Sequence, residues 1–104
     1  MADIDPSIID ELKAKHGELH QLSSEHYTVI VRKPSRPIWR KFTDAIVDER
    51  RRVDAIERLF LDCVVYPDGS AVNAMLDAKP ALAQIFGGEV ADLARDGEVE
   101  KKVL

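Results

Sequence analysis

Cysteine is almost missing from this chain. Cys63 stands alone, which rules out an internal disulfide and suits a reducing compartment. Aromatic residues are scarce too, at 6% of the composition, so a core has to be assembled mainly from Leu, Ile, Val and Ala. No apolar run comes near the roughly 18 residues that a membrane-spanning helix needs. There is no basic segment leading into a secretory apolar region, and no lipidation motif. These absences make the cytosol the expected location. Basic side chains are the minority, 15 against 19 acidic, and the formal charge of −4 argues against a general nucleic-acid binder, because phosphate contacts need a basic surface. No motif for catalysis, cofactor binding or metal binding is visible, so a non-enzymatic protein is expected.

What remains is 104 residues, 45% apolar and 33% charged. That length closes one modest core, so a single domain over 1–104 is expected, with loose ends at 1–5 and 98–104. Charge is unevenly placed. Residues 1–31 carry two basic and six acidic groups, residues 32–58 nine and five, and residues 59–104 four and eight. Either the acidic ends fold back and screen the basic middle, or the middle is offered to an acidic partner.

Proline and glycine punctuate the chain, and their longest gap is its most informative feature. Neither occurs between Pro37 and Pro67. Across that gap Trp39, Phe42, Ile46, Val53, Ile56, Phe60 and Cys63 step by three and four, with Glu49 the one polar member of the series. The spacing predicts one long central helix over 35–66, capped by Ser35 with Pro37 in its first turn. Such a helix would be on the order of 45 Å long at 1.5 Å per residue. Glu49-Arg50-Arg51-Arg52 is where the apolar stripe lapses and where a kink, or a split into antiparallel helices, would fall.

The flanking segments are shorter. Asp5-Pro6 starts a helix over about 6–15, with Ile8, Ile9 and Leu12 as its apolar stripe and Gly17 as its stop. Residues 18–22 and 26–32 read as a β-hairpin, with Tyr27, Val29 and Val31 on one face. A lone hairpin is marginal in water, so it should lie on the long helix or pair with a copy of itself. After the turn Tyr66-Pro67-Asp68-Gly69, Ser70 caps a helix to Ala78. Lys79-Pro80 opens another to Phe86, Gly87-Gly88 interrupts, and Glu89 to Arg95 forms the last, closed by Gly97. The fold class is therefore mainly α with a small β-hairpin (α+β): a short N-terminal helix and hairpin, a long central helix, and a C-terminal cluster of short helices.

Candidate contact residues gather at the basic centre: Arg32, Arg36, Trp39, Arg40, Arg50 and Arg51. Trp and Arg are the types most enriched at interface hot spots, although Trp39 fits a core position between hairpin and helix better. Cys63, beside Phe60 and Val64, reads as buried and inert. His16 and His20 are four apart, but Gly17 separates them and no further ligand completes a metal site.

Val29-Ile30-Val31-Arg32-Lys33-Pro34-Ser35-Arg36 running into a helix with Phe42 resembles the opening of small phage and prophage tail assembly chaperones. Cys63-Val64-Val65-Tyr66-Pro67-Asp68, Lys79-Pro80-Ala81-Leu82 and a Gly-Gly before the final helix continue the likeness, which covers residues 27–95. The resemblance implies a cytoplasmic, oligomeric, non-enzymatic protein. Its client would be the tape-measure protein, with the tail tube protein as a second candidate, before tail polymerisation. The alternative is a small helical adaptor or regulatory protein that uses its basic middle on nucleic acid or an acidic protein partner.

Overall fold

Pro6 to His16 form helix α1, and the local chemistry explains both ends. Asp5 accepts a hydrogen bond from the Ser7 amide at 2.9 Å, and Gly17, at φ +80°, closes the helix with its N–H on the Lys13 carbonyl at 2.8 Å. The structure, a computed structural model, describes residues 4–95 and 100–104. The expected loose ends at 1–3 and 98–99, and Gly97 as a helix stop, lie outside the described residues.

Strands β1 (Leu19–Ser23) and β2 (Thr28–Arg32) form the expected hairpin, in antiparallel register with Leu22 opposite Val29 and His20 opposite Val31. Ser24 closes the turn through both its N–H and its hydroxyl to Tyr27. The hairpin is not left alone. Val64–Tyr66, read from sequence as the end of the long helix, forms a third strand, β3, on the far side of β2. Two consecutive β-branched residues and an aromatic favour extended backbone, and Pro67 disfavours helix at Tyr66. β2 thus becomes the central strand, and Val29, Ile30 and Val31 are all buried.

The long central helix is divided. Helix α2 spans Arg36–Ile46, a single 3-10 turn spans Glu49–Arg51, and helix α3 spans Arg52–Cys63, with α2 packed against α3. Two features stop the first helix. Asp48 leaves helical backbone and accepts from the Arg50 amide at 3.0 Å, and Arg52 Nε donates to the freed Ile46 carbonyl at 3.0 Å. With these backbone groups satisfied the break costs little, since each net hydrogen bond is worth about 1 kcal/mol. The gain is larger. Folding back brings Ile38, Trp39 and Phe42 against the core, where each apolar side chain gains up to about 1.5–3 kcal/mol according to how fully it is covered.

Helix α4 (Gly69–Ala78) is capped by Asp68, which accepts from the Ala71 amide at 2.8 Å; the expected cap Ser70 lies inside the helix. Helix α5 (Leu82–Leu93) runs straight through Gly87-Gly88, where two short helices were expected. Gly87 is buried against α3: a Cβ there would stand 2.5 Å from Ile56 Cγ2 and 2.6 Å from its carbonyl oxygen. The glycine serves close helix packing and does not end a helix. Across this contact Phe60 of α3 meets Phe86 of α5 with ring centroids 5.6 Å apart, inside a core that also takes Leu59, Cys63, Val72, Met75 and Val90.

The architecture is α+β, mostly helical, with a three-stranded antiparallel sheet ordered β1-β2-β3. No helix among the described residues is long and apolar enough to cross a membrane. The radius of gyration is 15.1 Å, above the roughly 13 Å of a compact 100-residue domain, and the molecule measures 51 × 33 × 25 Å.

The two glycines of α5 should respond oppositely to alanine. Gly87→Ala must push α5 off a backbone carbonyl, and should lose about 1–2 kcal/mol after the helix-propensity gain of about 1 kcal/mol is counted. Gly88→Ala meets nothing within 4 Å and should gain about 0.5–1 kcal/mol. Denaturant unfolding of both variants checks this; equal effects would refute the packing role of Gly87.

Candidate functional site

The turn at 47–51 sets α2 and α3 side by side, and a groove of about 960 Å³ runs between them. Its apolar surface comes from Pro37, Ile38, Phe42, Ala45, Ala55 and Leu59. Its charged rim comes from Arg40, Lys41, Asp44, Arg51, Asp54, Arg58 and Asp62. The groove stays open because α2 has a covering helix on one side only. It packs on α3, and none of its residues is fully buried, although Ile38, Trp39 and Phe42 lean on the core.

Cations outnumber carboxylates at one end of the groove, and carboxylates outnumber cations at the other. At its open end, near Pro37, stand Arg40, Lys41, Arg58 and Asp62; at the turn end stand Asp44, Arg51 and Asp54. Lys41 Nζ lies 3.6 Å from Asp62 Oδ2, an exposed pair of little energetic weight. Arg40, Arg51 and Arg58 form no ion pair among the described residues. The groove therefore offers cations, carboxylates and aliphatic surface together, the complement of a charged amphipathic helix.

The six residues singled out from sequence are scattered over different environments. Arg40 and Arg51 line the groove. Arg36 is exposed at the start of α2, and Arg50 is exposed in the turn. Trp39 is half-buried, stacked obliquely on Phe42 at 5.2 Å and packed on the core, which is its core reading. Arg32 is half-buried at the end of β2 and donates from Nη2 to the Asp62 carbonyl at 3.3 Å, tying the sheet to the last turn of α3. Lys41, Asp44, Asp54 and Arg58 were missed. On a continuous helix Arg40 and Arg58 would lie roughly 27 Å apart along the axis, so no helix-face argument could unite them. The available signal was Asp48, an Asx-turn residue beside the lapse in the apolar stripe.

Cys63 is fully buried, and burial pushes its thiol up to about 11 despite the Arg32 guanidinium nearby, which pulls it down. His16 ends α1 and His20 lies on β1 near Glu18, at 3.8 Å. No cluster of three or more metal-ligating side chains occurs among the described residues.

The family described as a domain of unknown function (DUF6848) matches residues 12–97. No curated protein matches the chain significantly. A solved structure of an uncharacterised protein, rbstp2171, from Bacillus stearothermophilus is similar over 92% of this chain and 98% of that one, with a TM-score of 0.73 and 18% identity. At that identity the likeness shows the fold alone.

The buried thiol predicts an alkaline weakness. The unfolded thiol ionises from about pH 9, the folded one only near pH 11, so the thiol's contribution is intact below pH 9 and is lost as pH rises through 11. At pH 10 the loss should be about 1.4 kcal/mol. Urea unfolding at pH 7 and pH 10 should show it in the natural chain and not in Cys63→Ala; equal alkaline losses would refute it.

Proposed function

This chain belongs to the family described as a domain of unknown function (DUF6848), and from that premise we propose that it is a non-enzymatic assembly chaperone whose α2–α3 groove receives an amphipathic helix of a larger client. One observation carries the reading: α2 is strongly two-sided, buries no residue completely, and leaves an apolar channel edged with arginines that form no ion pair among the described residues. Helix-in-groove recognition calls for such a surface, with apolar anchors spaced at three and four residues on the incoming helix.

The resemblance of residues 27–95 to small phage tail assembly chaperones supplies the client. A tape-measure protein is a long helical chain prone to self-association, and covering its apolar stripes before tail polymerisation is the task proposed for the groove. The tail tube protein is the second candidate client. The proposed setting is the host cytoplasm. Carboxylates in the rim weigh against nucleic acid as the ligand, since Asp44 and Asp54 would face phosphates.

Co-expression with the tape-measure protein of the same gene cluster tests this. The client should become more soluble and co-purify with the chain. Ala45→Arg, which fills the groove from a half-buried position, should abolish co-purification while leaving the far-UV spectrum and Tm close to the natural chain's. No gain in solubility, or binding indifferent to Ala45→Arg, would overturn the proposal. Duplex DNA binding that weakens steeply with salt would favour the adaptor reading instead.

A further inference from the structure

Helix α1 is the least anchored regular element of the fold. It buries no residue, its principal contact is with β1, and Ile8, Ile9, Leu12 and His16 each remain half-exposed. It is also electrically polar along its length. Asp5 caps its start and Asp10 and Glu11 stand at its middle, while Lys13, Lys15 and His16 fill its last turn. Hydrogen bonds from Ser7 hold the Asp5 carboxyl below its ordinary value, so that end stays anionic at neutral pH.

The α2–α3 groove carries the matching pattern. Its open end presents Arg40 and Arg58, neither of them ion-paired among the described residues, beside the Lys41–Asp62 pair, and its turn end presents Asp44 and Asp54 with Arg51, so the first end is net basic and the second net acidic. The lengths agree as well: α1 and α2 each have 11 residues, about 16 Å of helix. We propose that α1 of one copy docks in the α2–α3 groove of a second copy, acidic half over Arg40 and Arg58, basic half over Asp44 and Asp54. The charge order fixes the direction, with the incoming helix parallel to α2.

The two surfaces lie on different parts of the chain. Each copy offers one helix and one groove, so the contact is either made twice in a reciprocal two-fold dimer or repeated head to tail as a closed ring or an open filament. A single helix in a groove covers less than a standard protein interface, so association should be weak, concentration-dependent and weakened by salt. The further consequence, that α1 of a neighbour keeps the groove closed until a client helix displaces it, rests on the groove reading under Proposed function; the self-association does not.

Sedimentation velocity of the full-length protein alone, over a wide concentration range, reads the proposal without any client. The natural chain should associate. Asp10→Lys with Glu11→Lys, and separately Arg40→Glu with Arg58→Glu, should each weaken association about tenfold or more. All four positions are exposed, so the fold should survive, as circular dichroism will verify. Combining the four substitutions should restore association by exchanging the charges. A chain that stays monomeric throughout, or an association indifferent to both double variants, would overturn the proposal; the second result would point to pairing of β1 edges instead. Failure of client binding with self-association intact would remove only the client.

Discussion

The approach of α5 to α3 at Gly87 is the contact on which the rest of the structure depends. Without a side chain at 87, the helix backbone comes close enough to Ile56 for Phe86 to reach Phe60. That pairing closes the core on one side of α3, and the sheet closes it on another through Val29 and Val31. The side of α3 carrying Asp54, Ala55 and Arg58 is left to α2 and the groove. The position of the groove is thus a consequence of where α5 sits.

The sheet and the groove are linked through the end of α3. Arg32 reaches from β2 to the Asp62 carbonyl, while the Asp62 carboxylate pairs with Lys41 of α2. One residue at the last turn of α3 therefore meets both the sheet and the outer helix. The two basic partners contribute differently: Arg32 is held in a half-buried structural contact, whereas Lys41 makes a weak surface pair and stays largely exposed. A basic segment of the sequence thus divides into structural and surface cations only once the helices are folded together.

Function and fold share a physical logic in α2. A helix with a sharp apolar stripe ordinarily hides it. Here α2 leans on the core through Ile38, Trp39 and Phe42 but lacks a helix over its outer side. The stripe is only half-covered, and beside it stand arginines that form no ion pair among the described residues. Both the client reading and the docking of α1 answer that one imbalance.

Much of the fold was legible in the sequence. Asp5-Pro6 and Gly17 bound α1, the β-branched run at 28–32 gives β2, and Phe60 and Cys63 mark the core face of α3, because each signal is local chemistry acting over a few residues; Val53, expected on that face, is exposed, and Ala55 and Leu59 are buried in its place. The tertiary structure decided the rest. A stripe in register from Trp39 to Cys63 fits a straight helix and a folded pair equally well. The choice falls to burial of Phe42 and Trp39 against a distant core, aided by Asp48 and Arg52 at the turn. Gly87-Gly88 looks like a break until Ile56, thirty-one positions earlier, needs the space. Val64–Tyr66 becomes a strand because β2 has an open edge to receive it. For the site the division is sharper: the sequence supplies Arg40 and Arg51 as exposed cations, but only the fold opposes them to Asp44, Asp54 and Arg58 across a groove, since charges far apart along a chain become one surface only when packing brings their helices together.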